Sequence, residues 1–471
     1  MLNTDNHHNP VVFARFKGNP EAPGKRNKIL FYGHYDVVPA DDKQGKWIVD
    51  PFQMRGINGY LYGRGVSDNK GPVMAALYGV ADLVQKKQLN SDITFLIEGE
   101  EESGSRGFKD AVRRHKDLIG DIDYIILANS YWLDDEVPCL TYGLRGVLHA
   151  TVKVYSHHSD MHSGVDGSFM MDEPLFDLTA ILARLKGLHN RIQIPGFYDH
   201  ILPLTPVEEA RYDDIASTLL RRNPSLGPAE TLKASLMARW REPNLTIHRY
   251  KVSGPDGSLV SSHASAAISL RLVPNQEVDD VIRSLTTFLS DAFATLDTHN
   301  RFSITIDNQA DAWLGDPDNE IFQTLEEAIM EVWGPISTSN RRSSVPGPKQ
   351  APKKPITLAQ SPSLKPSPTT TTTLTSGPDH TSLAAQPRDS DSEISANDVK
   401  TKKGRKPLYI REGGSIPSIR FLEKEFGAPA AHLPCGQASD SAHLDNERLR
   451  LSNLYKSREI FGKVFERLGK R

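Results

Sequence analysis

The sequence predicts an α/β fold: a mostly parallel, twisted sheet covered by helices, with a smaller α+β unit inserted into it. Three observations carry this reading. Residues 1–146 alternate short apolar runs with amphipathic ones, residues 147–312 carry runs that alternate residue by residue, and the first pattern resumes at 313–336 and 406–471. At 471 residues the chain also exceeds the roughly 250 to 300 residues that one hydrophobic core serves, so more than one domain is expected.

The elements follow in order. "KILFYG" (28–33), "DITFLIEG" (92–99) and "DYIILAN" (123–129) are nearly continuous in apolar residues, as strands covered on both faces are. Between them "GPVMAALYGVADLVQ" (71–85) reads as a helix, with Val73, Leu77, Val80 and Val84 as its apolar stripe and Pro72 in its first turn. "SRGFKDAVRRH" (105–115) reads as another, and strands alternating with helices imply a largely parallel sheet. In the second unit "VLHATVKVYS", "LTIHRYKVS" and "AAISLRLVP" are strand-like, while "EPLFDLTAILARLKGL" and "DDVIRSLTTFLSDAF" are helical. That mixture suits an antiparallel sheet with helices on one face. Residues 337–405, rich in Pro, Ser, Thr and Lys, cannot bury enough apolar surface to offset their ordering entropy. They are expected to be a disordered insertion that interrupts the first domain.

Charge and composition narrow the function. Fifty-six Lys and Arg against 59 Asp and Glu leave a net charge of −3, without the basic face a nucleic acid would demand. The polar start "MLNTDNHHNP" lacks a signal peptide, no apolar run spans a bilayer, and two cysteines cannot build a disulfide framework. A cytoplasmic protein with no membrane and no nucleic-acid partner is expected.

The chemistry gathers where strands end. His34 and Asp36 follow the first strand, Glu100, Glu101 and Glu102 the second, and Asn129 the third, while Asp68 precedes the first helix. In a parallel sheet these positions share one edge. Singly each has an ordinary reading, such as a hydrogen-bonded turn or a helix start. Together, carboxylates beside imidazole are electrostatically unfavourable unless a cation lies among them. Imidazole with carboxylate oxygen and no thiolate favours zinc, manganese or cobalt.

"GHYDVVPA", "GYLYGRGVSDNKGP", "EGEEESGS", "HSGV", "SLRLVP", "REGGSIP" and "SDSAHLDNE" together resemble the M20 metallopeptidases, in the branch of the carnosinases and Cys-Gly dipeptidases. The resemblance implies a zinc-exopeptidase-like catalytic domain with an inserted lid and dimerisation domain. It implies two divalent metal ions, Zn or Mn, bridged by Asp68, with Glu102 and His443 completing one site and His34 and the residue at 129 the other. Glu101 matches the general base, Asp36 the carboxylate that orients His34, and His162 a group that reaches the substrate carbonyl across a homodimer. Arg271, Gly414 and Ser415 would bind a short peptide, and the bond from Asp68 to Asn69 would be cis. The same chemistry would serve N-acyl amino acids, though "REGGSIP" is dipeptidase-like.

Two departures stand out. Asn129 occupies a position where the family has an aspartate, so the second metal is expected to bind weakly. The chain also starts almost at "PVVFARFKG", where relatives carry helices first, so either a truncated sequence or part of a larger polypeptide is expected. Further stretches, "NSYWLDDEVPCLTYGLRGV" and "WREPNLTIH" among them, resemble the glutathione-degrading branch of the family. That branch implies glutathione or γ-glutamyl peptide breakdown with a glutamine-amidotransferase-like partner subunit. It also opens the alternative of a catalytically weakened scaffold subunit.

Overall fold

The computed structural model describes residues 1–4, 7–21, 26–41, 45–166, 171–254, 257–334 and 406–469. The insertion expected at 337–405 lies outside the described residues. The larger sheet runs β1 (Val12–Phe16), β3 (Asp92–Glu98), β2 (Lys28–His34), β4 (Tyr124–Leu127), β12 (Ala430–His432), β5 (Cys139–Leu144) and β10 (Trp313–Leu314), with β11 (Leu408–Glu412) also paired to β5. Its centre is parallel, since β2 pairs with both β3 and β4, and β4 with β12. Towards the edges β1, β10 and the β12–β5 contact are antiparallel, so the sheet is mixed.

Helices α1 (Gly71–Gln85) and α2 (Phe108–Arg114) cover this sheet, together with α7 (Glu320–Trp333), α8 (Pro417–Phe426) and α9 (Leu451–Arg467). The buried face of α1 differs from the expected stripe. Ala75, Ala76, Gly79, Val80 and Leu83 are inside, while Val84 is exposed. The cause is close helix packing: a Cβ on Gly79 would lie 3.0 Å from Arg458 O and 3.1 Å from Gly462 N of α9. Small residues here let two backbones meet, and hydrophobic spacing cannot register that.

The smaller sheet is antiparallel throughout, in the order β7 (Asn244–Val252), β8 (His263–Leu272), β6 (Gly146–Tyr155), β9 (Arg301–Ala310). Every second residue of β8 is buried, which is the period of a sheet with one wet face. Its covered face packs on α3 (Pro174–Ala183) and α6 (Val278–Ala294) around Leu148, Val152, Ile268, Leu270, Leu285 and Leu289. Helices α4 (Pro206–Arg222) and α5 (Ala229–Arg241) pack elsewhere: Tyr212, Ile215, Leu236 and Trp240 meet Cys139, Leu408 and Ile410 of the larger sheet. Beneath them Glu208 Oε1 lies 2.9 Å from Arg411 Nη2 as an ion pair. Both cysteines are free and buried, and among the described residues no helix is long and apolar enough to cross a membrane.

Candidate metal centre

Strand register builds the site. In the parallel pair β2–β3, His34 stands opposite Glu98, so residues 100–102 fall just beyond His34. In β2–β4, Tyr32 stands opposite Leu127, which sets Asn129 beside His34 two residues on. Gly33 lets the strand pass the start of α1, because a Cβ there would lie 2.6 Å from Val73 Cγ2 and 2.7 Å from Asn69 Oδ1. The bond between Asp68 and Asn69 is cis, and Asn69 Oδ1 accepts the His34 main-chain N–H at 3.2 Å.

Around that scaffold His34, Asp68 and Glu102 bring ligand atoms within 4.8 Å of one another. His34 Nε2 lies 3.0 Å from Asp68 Oδ1 and 4.0 Å from Glu101 Oε2, and Asn129 Nδ2 is 3.4 Å from the same ring nitrogen. His443 Nε2 is 3.1 Å from both Asp68 Oδ2 and Glu102 Oε2, so Asp68 spans the two imidazoles. Asp36 works behind them. Its main-chain oxygen is 3.1 Å and its Oδ1 3.3 Å from His34 Nδ1, and its Oδ2 accepts the Glu102 main-chain N–H at 2.9 Å.

Electrostatics show how crowded this edge is. Burial pushes the Glu101 carboxyl up to about 8, opposed by His34 and reinforced by its acidic neighbours. Burial also opposes a charge on Asp68, yet His34 and His443 hold its carboxyl well below the usual range. Hydrogen bonds from Asp68 and Glu102 raise His443 to about 10, and Asp36 and Asp68 outweigh burial to raise His34 well above its ordinary value. Both imidazoles are thus held against carboxylates, an arrangement that favours positive charge, as that of a divalent ion would be. The donor set fits such an ion: imidazole nitrogens, carboxylate oxygens, and Glu102 Oε1 buried with no hydrogen-bond partner.

Four residues carry more than sequence spacing revealed. Glu447, fully buried, accepts Ser67 N–H at 3.0 Å, Ser67 Oγ at 2.9 Å and Asp68 N–H at 3.1 Å on one oxygen, and Gly65 N–H at 2.9 Å and Arg64 at 2.8 Å on the other. It thereby ties the Asp68 loop to the segment that carries His443. Glu98 takes hydroxyls from Tyr32, Ser105 and Ser418, and burial pushes it up to about 7. Glu412 accepts Ser130 beside Asn129, and burial likewise raises it to about 7. His432, kept neutral by burial at about 4, donates to Asn129 O at 2.7 Å. The signal that existed was a charged or polar residue within an otherwise apolar strand, as at the end of "DITFLIE".

Other expected residues stand apart. Glu100 turns away, accepting Asn9 N–H at 3.0 Å. His162 is exposed, its main-chain N–H bonded to Asp166 at 2.7 Å. Arg271 lies on the open face of the smaller sheet, and Gly414 O accepts Arg145 N–H at 3.1 Å. Among the described residues none of these, nor Ser415, touches the acidic cluster.

Comparison with known proteins places the chain in a family. Over 466 residues the chain is 37% identical to "Probable di- and tripeptidase DUG2" of Saccharomyces cerevisiae, covering 98% of this chain and 44% of that protein. It is 33% identical over 334 residues to the human "Beta-Ala-His dipeptidase", covering 69% and 65%. The chain thus spans less than two thirds of the length of either. The crystal structure of human carnosine dipeptidase 1 superposes with a TM-score of 0.66 at 25% identity, over 98% of this chain and 84% of that one. Residues 30–350 match the profile described as "Peptidase family M20/M25/M40", and the chain belongs to that family.

Proposed function

We propose that this chain is a metal-dependent hydrolase of short peptides, acting in glutathione or γ-glutamyl peptide breakdown. One observation carries the reading: His34, Asp68, Glu102 and His443, from four distant parts of the sequence, share one cluster with Glu101 at its side. The names of the relatives support it.

Asp68 would lie between two divalent ions, zinc or manganese, with Glu102 and His443 on one and His34 and Asn129 on the other. Bound there, such ions polarise the scissile carbonyl and acidify the attacking water. Glu101 takes the water's proton and returns it to the leaving amine. Asp36 holds His34 by its Nδ1 side and Glu102 by its main-chain N–H, so one carboxylate orients two ligands. Arg271, Gly414 and Ser415 would hold the peptide. His162, exposed and paired in register with Leu259, would reach the substrate oxygen from a second copy in a homodimer. An amidotransferase-like subunit is the proposed further partner. A pure scaffold would have little use for Glu101, Glu102 and His443 in this grouping, and only Asn129 speaks for it.

Hydrolysis of Cys-Gly with added zinc or manganese tests the reading. Glu101→Gln is expected to lower kcat by about 10²- to 10⁴-fold while melting temperature and metal content stay unchanged. Full activity in that variant contradicts it.

A further inference from the structure

Arg271 and Arg145 form a second unneutralised cluster, of opposite sign. Arg271 on β8 stands opposite Val147 on β6 and Asn244 on β7. Arg145 lies two residues before Val147, and its Nη1 is 3.3 Å from Glu242 O, two residues before Asn244. Both guanidiniums therefore sit at the same end of the smaller sheet, and both are half-buried.

Neither has a carboxylate partner among the described residues. Among the described residues the Arg145 side chain bonds to main-chain oxygens, Gly413 O at 3.3 Å and Glu242 O, and the Arg271 side chain makes no hydrogen bond. Carbonyls aim the guanidinium fork but leave its charge standing. Burial and the charge of Arg271 lower Arg145 to about 10, so it still carries its proton near neutrality. His149, on the open face opposite Ser269, is pushed down by burial and by Arg271, and Asp307 on that face is taken by Thr151 Oγ1 at 2.7 Å. Two half-buried cations side by side raise each other's energy unless an anion joins them.

Arg145 is also linked through neighbouring residues to the edge that carries the acidic cluster. Gly413, against which Arg145 packs, follows Glu412, and Glu412 accepts Ser130, the neighbour of Asn129. Resting on the peptide-hydrolase reading above, we infer that Arg145 and Arg271 form one anion subsite that selects short peptides whose terminal residue presents two carboxylates, such as a C-terminal Asp or Glu. Two guanidiniums meet two carboxylates in bidentate pairs, and a single carboxylate would leave one cation unmatched. Arg145 is thus a specificity-determining residue.

The test compares Ala-Gly with Ala-Asp on the full metal-loaded chain. Preference for Ala-Asp in kcat/KM is expected on the order of tenfold, and Arg145→Gln should abolish it through KM, with Arg145→Lys restoring part. Binding without turnover provides the second arm: by calorimetry, Arg145→Gln should weaken succinate about tenfold and acetate much less. Equal loss for both anions, unchanged succinate affinity, or no preference for Ala-Asp overturns the subsite. Should Arg145→Gln fail to fold, Arg271→Gln, which removes no hydrogen bond, carries the same comparisons. A chain that binds succinate in the Arg145-dependent way yet cleaves neither dipeptide refutes the hydrolase reading alone.

Discussion

The acidic cluster at the strand ends and the guanidinium pair beside the smaller sheet both crowd like charges, but they are held differently. In the cluster, Asp68 and Glu102 lie 3.1 Å from the His443 imidazole, Asp36 takes a main-chain N–H, and Glu447 fastens the Asp68 loop through five hydrogen bonds. In the pair, among the described residues, the Arg145 side chain is aimed by neutral carbonyls and that of Arg271 makes no hydrogen bond. The first region thus holds its acids and imidazoles at fixed positions. The second leaves its charge for a ligand to match, which suits it to choosing among substrates. Ordered donors fix geometry, and leftover charge sets preference.

Removing the fastening should break the first half of that comparison most severely. Glu447→Ala leaves the buried Arg64 without its partner, since their side chains are 3% and 1% exposed. A loss of about 3–5 kcal/mol in denaturant unfolding is expected, together with weakened metal binding. A neutral outcome would show that the Asp68 loop holds itself. Next in size, Asn129→Asp adds a charge beside His34 and should tighten the weaker divalent ion on the order of tenfold, read by competition with a chelator. Unchanged affinity would mean that residue 129 does not ligate.

The smallest effect concerns pH. Asp440 lies in the segment before His443. Its Oδ2 accepts Gln437 N–H at 2.9 Å, its Oδ1 is buried without a partner, and burial pushes it up to about 7. A carboxyl raised on folding binds more protons folded than unfolded. Its contribution to stability is therefore full below its ordinary value of about 4 and is lost as pH rises through about 7. Asp440→Asn cannot ionise, so its stability should gain on the natural chain as pH rises across that window. A constant difference between the two would remove Asp440 from the account of this loop.

Legibility in the sequence followed the range of the interactions. The central strands and the acids just beyond them could be read, because buried parallel strands are continuously apolar and end at one edge. Glu447 ends "SDSAHLDNE" with no local signal of its role, since its work is to accept N–H groups from a loop far earlier in the chain. The face of α1 was misjudged at Gly79 because a close backbone approach leaves no apolar residue to count. Helices α4 and α5 give a weak pattern, because only a few residues of each, such as Tyr212 and Trp240, are inside. Arg145 gave no signal, because its environment is made of main-chain oxygens that any sequence supplies.

The most direct test is calorimetric titration of the chelator-stripped chain with zinc or manganese, beside Asp68→Asn. Two binding events of unequal affinity are expected, both lost or severely weakened in Asp68→Asn. Binding that ignores Asp68, or no saturable binding at all, would contradict the claim that a cation is what these acids and imidazoles share.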